Sequence, residues 1–339
     1  MKKAAVHNPY WDSMGGGEKY TATFIRLLMD EGWDVEVWWK EDICAKLKER
    51  FGIDIVGVSF TKPKSSAEYD LMFWVSDGSL PTSLAKKTLI HFQFPFANIG
   101  GKQVKNLIKS RVYVFVVNSL FTKKFIDKEF MVNSQVVYPP IDVDNYTSAK
   151  KTNSILYVGR FSQLTQQKGQ LYLVETFIKL EQMLKGWQLM LVGNTDVGTK
   201  PEDLTTMAQA AVGHRIEIVT NPSRQKLLEL YAQAKIFWSA SGYGIDEEKE
   251  PLKVEHFGIT VVEGMAAGCV PVVTALGGHK EIVAEGENGY LWHSLNEMID
   301  KTVHLVNDYQ LWKKLSLAAI TSSRKFSTEE FRVKFKSLL

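Results

Sequence analysis

Short apolar runs alternate with longer stretches whose apolar residues recur every three or four positions. Residues 3–7 read as a strand, and 18–29 place apolar residues at helical spacing up to Gly32. Runs at 35–39, 55–60, 71–75, 89–92 and 112–117 are five more strand-like segments. Asn118-Ser119 then opens an amphipathic stretch ending near Phe130, and 135–138 form a last short strand. A serine oxygen at that point accepts from the free N–H groups of a first helical turn. Tyr138-Pro139-Pro140-Ile141-Asp142 and the polar segment 144–153 read as a linker. After it the alternation restarts. Strand-like runs lie at 155–158, 188–192, 216–220, 236–239 and 270–273. Helical stretches lie at 170–184, 202–211, 226–234 and 260–267, and 295–339 reads as helical throughout. Strands alternating with helices imply parallel sheets covered on both faces. The expected fold class is α/β, two Rossmann-like doubly wound domains. Residues 1–145 form the first, 146–322 the second, and 323–339 a helix returning to the first. Ligands in such sheets bind beyond the carboxyl ends of the strands, so the cleft between the domains is the expected site.

Composition narrows the function classes. A chain of 339 residues with 45% hydrophobic and 23% charged residues is globular, not disordered or collagen-like. With 41 basic against 38 acidic residues, the net charge of +3 gives no case for a nucleic-acid partner. Two cysteines, Cys44 and Cys269, make neither a disulfide framework nor a zinc site, and a cytoplasmic location is expected. Residues 1–13 have no apolar signal-peptide core, and no apolar run approaches the ~18 residues of a membrane span. The chain is rich in aromatics: 18 Phe, 12 Tyr and 9 Trp. Trp74, Phe115 and Trp238 fall in strand runs and are expected in the core. Tyr10, Trp11, Phe92, Phe94, Phe96 and Tyr243 lie at the proposed cleft loops, where their faces suit sugar rings or a lipid-linked acceptor.

Four features carry chemistry. Gly15-Gly16-Gly17-Glu18 follows the first strand and opens a helix. Glycines there let the backbone approach a phosphate at a helix N-terminus, or simply make a tight turn. Arg160 follows the strand at 155–158, and Lys168 lies eight residues on. Two such cations can clamp a diphosphate, or they are solvated surface. Glu255-His256-Phe257-Gly258-Ile259 leads into an apolar helix carrying Glu263. A carboxylate on an apolar helix needs a partner, and a ribose diol is one; a cap and a salt bridge are the plainer explanation. His91 ends a strand of the first domain and is either structural or aimed at the site. The acidic segment 239–254 is either a lid or a mobile loop.

These residues together resemble the retaining nucleotide-sugar glycosyltransferases of family 4, which have the GT-B fold. The paired glutamates Glu255 and Glu263, eight apart around Phe257-Gly258, carry the resemblance, with Gly15 to Glu18, Arg160 and Lys168. The stretches GGGE at 15–18, VNS at 117–119, VVYPPIDV at 136–143 and EHFGITVVEGMAAG at 255–268 look more narrowly like the α-1,2-mannosyltransferases that extend lipid-linked oligosaccharides for asparagine-linked glycosylation. The resemblance implies catalytic roles for Glu255, Arg160, Lys168 and His91. It also implies that the amides of Gly16 and Gly17 approach the diphosphate or the acceptor, that those of Phe257, Gly258 and Ile259 help bind the donor sugar, that Glu263 binds the ribose and that Asn221 lies near the base. The donor it implies is a GDP- or UDP-sugar, the acceptor a glycan or lipid-linked hydroxyl, with no cofactor and no metal. Asp142-Val143-Asp144 has Asp-x-Asp spacing but lies in the linker. Three departures stand out. Counting back from Pro95 puts Gln93, not His91, at the family's histidine. Residues 162–167 are an insertion. The N-terminal membrane anchor of the eukaryotic members has no counterpart, so any membrane contact is expected to be peripheral. Rival readings are a glycoside hydrolase using the two glutamates, a nucleotide-sugar epimerase and a non-catalytic nucleotide- or glycan-binding module.

Overall fold

The structure, a computed structural model, describes residues 1–162, 166–195 and 198–339. The chain divides into two compact units, Met1–Pro140 with Thr328–Leu339, and Ile141–Ser327.

The first unit contains β1 (Lys3–His7), α1 (Gly16–Asp30), β2 (Asp34–Trp38), α2 (Cys44–Phe51), β3 (Ser59–Thr61), β4 (Leu71–Val75), β5 (Lys87–Phe92), α3 (Val104–Ser110), β6 (Val114–Val117), α4 (Leu120–Phe130) and β7 (Gln135–Val136). Its strands pair in parallel in the order β3-β2-β1-β4-β5-β6-β7. The order reverses between β1 and β4, the switch point of a doubly wound sheet. Strand β4 is a continuous apolar run because both faces are covered. Helix α1 buries Phe24, Ile25, Leu27 and Leu28 against the sheet. The predicted cap of α4 is present, with Thr122 N–H donating to Ser119 Oγ at 2.9 Å. The run at 55–60 is not one strand: Gly57 takes φ +108 and breaks it, so pairing starts at Ser59.

The second unit contains β8 (Ser154–Val158), α5 (Gln170–Leu180), β9 (Gln188–Gly193), α6 (Pro201–Ala211), β10 (Ile216–Thr220), α7 (Arg224–Gln233), β11 (Ile236–Ser239), α8 (Ile259–Ala266), β12 (Val270–Thr274), α9 (His279–Ile282), β13 (Tyr290–Trp292), α10 (Leu295–Asn307) and α11 (Tyr309–Ser323). Its strands are also parallel, in the order β10-β9-β8-β11-β12-β13, with the switch between β8 and β11. Strand β13 escaped the sequence pattern because only three residues pair. The stretch 295–339 is helical but interrupted. Asp308 caps α11, its carboxylate accepting from Leu311 N–H at 2.9 Å. A tight turn at Arg324–Phe326 then separates off α12 (Thr328–Lys336).

The units divide at 140 and 327, where the sequence pattern suggested 145 and 322. Ile141 is fully buried and its N–H bonds Phe326 O at 3.1 Å, so the end of the proline stretch already belongs to the second unit. Helix α12 belongs to the first. Phe335 lies 4.5 Å from Phe24, Phe331 lies 4.9 Å from Tyr20, and Arg332 pairs with Asp30 at 2.9 Å.

Two aromatics expected in loops as sugar platforms are core residues instead. Trp11 and Phe92 are fully buried, because a large apolar ring near a strand end packs inward when the sheet leaves room for it. Trp11→Ala should therefore cost about 3–5 kcal/mol of stability, measured as a lowered urea midpoint. A selective rise in acceptor KM with unchanged stability would contradict this placement. Phe115 and Trp238 are core, as expected, while Trp74 is half-buried and stacks on His7 at 3.7 Å.

Candidate functional site

The strongest convergence of functional side chains in the second unit lies beyond the carboxyl ends of β8, β11 and β12. At the end of β8 the backbone is crowded. A Cβ on Gly193 would lie 1.9 Å from Gly159 O, so the ends of β8 and β9 pass with no side chain between them. Gly169 takes φ +67 against Ala240 O, which lets α5 start beside the end of β11. Gly242 N–H bonds Gln167 O at 2.7 Å, and Gln167 N–H bonds Lys253 O at 2.9 Å. These bonds bring the chain before α5 alongside the segment that precedes α8.

That stitching pairs Lys168 with Glu255. Lys168 Nζ donates to Glu255 Oε2 at 2.8 Å, and the two side chains are 16% and 17% exposed. Lys168 also donates to Gln166 Oε1, and Gln166 Nε2 reaches Glu255 Oε1 at 3.5 Å. Burial by itself would raise the Glu255 carboxyl. The Lys168 ammonium overrides it and, with His279 and His256 nearby, holds the group down at about 2. Both histidines are pushed down to about 4 by burial and are neutral near pH 7. His256 Nε2 lies 3.2 Å from Leu252 O, and His279 Nδ1 lies 3.1 Å from Thr274 O. An ammonium has three donors, and among the described residues two are engaged, by Glu255 and Gln166.

The backbone carrying Glu255 is held by Gly277 and Gly278. Gly278 N–H donates to Glu255 O at 2.8 Å, a Cβ on Gly277 would lie 2.0 Å from that oxygen, and a Cβ on Gly278 would lie 2.3 Å from Phe257 Cα. This double glycine was not among the residues singled out from the sequence. Its signal was present, since it follows a strand and opens a helix as Gly15 to Gly17 do. Glu247 accepts from Gly277 N–H at 2.7 Å and pairs with Lys280. The acidic segment 239–254 is thus anchored at Gly242, Glu247 and Lys253.

Gly258 caps α8 at φ +114, a conformation that favours glycine, so the chain turns sharply; Val261 N–H already donates to Gly258 O at 3.0 Å, and the amides of Ile259 and Thr260 lie at the helix N-terminus ahead of it. Phe257 is buried against Phe326 at 5.3 Å and fixes that turn. Glu263, on α8, accepts from Tyr231 OH at 2.9 Å. Tyr146 lies edge-on to Tyr231 at 5.5 Å, and burial, reinforced by Glu263, pushes its phenol up. The partner that a carboxylate on an apolar helix requires is thus a pair of phenols. Arg160 is exposed, with no carboxylate partner among the described residues, and its carbonyl accepts from Gln170 Nε2 at 2.9 Å. Asn221 spends both ends of its side chain on Thr195, at 3.0 and 2.9 Å, and takes φ +49. As it stands it ties the ends of β9 and β10 together. Of the proposed insertion at 162–167, residues 163–165 lie outside the described residues.

In the first unit, Gly15 caps α1 and Gly16 begins it. Glu18 is buried and reaches back, accepting from Gly15 N–H at 2.8 Å and from Ser13 Oγ. Burial raises its carboxyl above the ordinary range. A Cβ on Gly17 would lie 1.8 Å from Gln93 Oε1, so the Gln93 amide rests on the α1 N-terminus. Asn118 holds the Gln93 carbonyl at 3.0 Å. His91 is elsewhere. Its ring is fully buried, stacked on Tyr20 at 4.0 Å, and burial lowers it to about 3. A neutral ring enclosed in the sheet core does not reach a ligand, so Gln93, and not His91, is the side chain of this strand end that meets the glycine loop. Because Gly17 faces the far end of a flexible side chain, Gly17→Ala should cost less than about tenfold in kcat/KM, within ~1.4 kcal/mol.

Residues 141–320 match the family described as Glycosyl transferases group 1. A Dictyostelium discoideum protein named GDP-Man:Man(3)GlcNAc(2)-PP-Dol alpha-1,2-mannosyltransferase is 25% identical over 71% of this chain and 49% of its own length. A Xanthomonas oryzae protein named GDP-mannose:cellobiosyl-diphosphopolyprenol alpha-mannosyltransferase is 24% identical over 55% of this chain and 48% of its own. The chain thus spans about half the length of the curated relatives it matches. A glycosyltransferase structure from Rickettsia africae superimposes with a TM-score of 0.78 at 18% identity, covering 99% of this chain and 97% of its own. The Anabaena protein HepE, solved in complex with UDP-glucose, superimposes with a TM-score of 0.72 at 16% identity, covering 100% and 99%. At such identities structural likeness speaks to the fold, which is GT-B.

Proposed function

The chain belongs to the group 1 glycosyl transferases, and from that premise we propose that it is a retaining hexosyltransferase, moving a sugar from a nucleoside diphosphate to an acceptor hydroxyl without a metal ion. The observation that carries this reading is the Lys168–Glu255 pair beside the α8 N-terminus, beyond the switch point of the second sheet. A carboxylate held ionised accepts hydrogen bonds from sugar hydroxyls. The ammonium that holds it engages two of its three donors among the described residues, and the third is assigned to the diphosphate.

In the proposed reaction the bond from the sugar C1 to the diphosphate oxygen breaks, and a bond from C1 to the acceptor oxygen forms on the same face. The acceptor proton passes to the departing diphosphate. Negative charge grows on that leaving group, and Arg160, Lys168 and the amides at Phe257, Gly258 and Ile259 are the groups assigned to stabilise it. Glu263 and its phenol partners are assigned to the ribose, and Gly16, Gly17 and Gln93 to the donor or acceptor from the first unit. GDP-mannose is the first donor to try, since two relatives carry GDP-linked mannose in their names. A UDP-sugar is the second, on the Anabaena likeness. The acceptor class is a glycan or lipid-linked hydroxyl.

A thermal-shift panel of GDP, UDP, GDP-mannose and UDP-glucose tests the donor, because a ligand that binds only the folded state raises Tm. GDP and GDP-mannose should raise it, and no shift with any nucleoside diphosphate would sink the reading. Turnover should persist in a chelator; activity lost there and restored by Mn²⁺ would overturn metal independence. Nucleotide release that depends on acceptor separates transfer from hydrolysis, epimerisation and mere binding.

A further inference from the structure

We propose that the face of the first unit built on α3 and the end of α4 docks on an anionic lipid surface. Helix α3 buries none of its residues. Val104, Ile108 and Val112, spaced four apart, are 74%, 64% and 71% exposed, and Met131 just past α4 is 69% exposed. Val104 and Ile108 lie a turn apart on α3 and Val112 follows its end, and exposed large aliphatic side chains grouped in this way are uncommon on a surface that meets only water. Beside them opens a groove of about 400 Å³, lined by Leu107, Arg111, Tyr113, Phe115, Met131 and Val132 among others.

The charge on this face selects the occupant. Residues 99–135 contain seven Lys and Arg against two acidic residues, a net +5, while the whole chain nets +3. This segment's net charge thus exceeds that of the whole chain, and the remainder of the chain is net negative. Lys102, Lys105, Arg111 and Lys128 are exposed and have no ion pair among the described residues. Glu129, one of the two acids, is neutralised locally by the N–H groups of Asn98, Ile99 and Gly101. A second copy of this chain would oppose like charges across such a face. A nucleic acid would leave the aliphatic row uncovered. An anionic membrane interface satisfies both, taking the aliphatic side chains below the headgroups and pairing the cations with them. Among the described residues no helix is long and apolar enough to cross a membrane, so the attachment lies on the surface.

The proposal does not rest on glycosyl transfer, and its test contains no donor. The full chain is sedimented with vesicles of phosphatidylcholine, with and without phosphatidylglycerol, at low and high salt. Binding to the anionic vesicles should be at least tenfold stronger than to the neutral ones and should weaken with salt. The double variants Val104→Gln/Ile108→Gln and Lys105→Glu/Arg111→Glu should each lose at least tenfold, with thermal melts unchanged because all four residues are exposed. Absence of binding to anionic vesicles, or wild-type binding by both variants, would overturn the proposal. So would a concentration-dependent dimer that the Val104→Gln/Ile108→Gln variant abolishes, since a second copy would then cover this face.

Discussion

Lys168→Ala should lower kcat/KM by about 10²- to 10³-fold, the loss expected when one preorganised charge-stabilising donor is removed. The reason is specific to this pair. The Lys168 ammonium, 2.8 Å away, is the main charge that holds Glu255 ionised against a burial that by itself would raise the carboxyl. Without the lysine, the largest influence opposing burial is gone and the Glu255 pKa moves up from about 2. The variant should therefore lose residual activity as pH falls through a range where the native enzyme is flat. A kcat/KM profile against pH reads this directly. Glu255→Gln in the Lys168→Ala background should add little, because the two groups act as a unit. Full additivity of the two losses, or unchanged turnover in Lys168→Ala, would remove the pair from the mechanism. The same depressed carboxyl carries a stability statement. Its contribution is complete above the unfolded value of about 4.5 and is lost as pH falls through the folded value near 2. Acid should thus weaken the second unit between those limits, and Glu255→Gln should flatten that loss.

Gly278→Ala should lower kcat by about 10²-fold through position alone. Gly278 has φ −67, which alanine adopts without strain, so the effect is one of space. A Cβ there would lie 2.3 Å from Phe257 Cα and 2.5 Å from Phe257 O, and neither is the end of a flexible side chain. The turn carrying Glu255 and the α8 amides must move by about 1 Å to reach ordinary contact, enough to cost ~10² in rate when it displaces a positioned group. Donor affinity should fall with kcat, and the melt should shift modestly. A variant with native kinetics would mean that the Glu255 turn is not held where the chemistry needs it. The contrast with Gly17→Ala is the internal control. Its nominal clash is closer, at 1.8 Å, but it falls on the tip of Gln93, which can rotate away.

Much of the architecture was legible in the pattern because burial on both faces leaves its own mark. A run such as β4, LMFWV, admits few readings other than a covered parallel strand. Ser119 predicted its helix because a cap works through residues adjacent in sequence. The short elements were not legible. Strand β13 pairs through three residues, and α2 and α3 run for eight and seven, too few for a period to emerge. The residue spacing put Glu255 and Lys168 on two loops, but no periodicity links positions 87 apart, and only the bonds through Gln167, Gly242 and Lys253 bring them together.

The same distinction governs the wrong placements. His91 and Gln93 are two apart on one strand end. Their alternation says that they share a face, not which one escapes the core. Packing on Tyr20 decided it, burying the histidine and leaving the glutamine over Gly17. Trp11 was assigned to a loop surface on its position alone, and the sheet drew it in. By itself the sequence determined the two parallel sheets, the glycine loop, the cations and the spacing of the glutamates, because backbone conformation and hydrophobic period are local properties. Which carboxylate meets which cation, which glycines admit the Glu255 turn, and where the aliphatic and basic residues of α3 combine on one face were decided only by the tertiary structure. Each depends on side chains meeting across segments that the chain keeps apart.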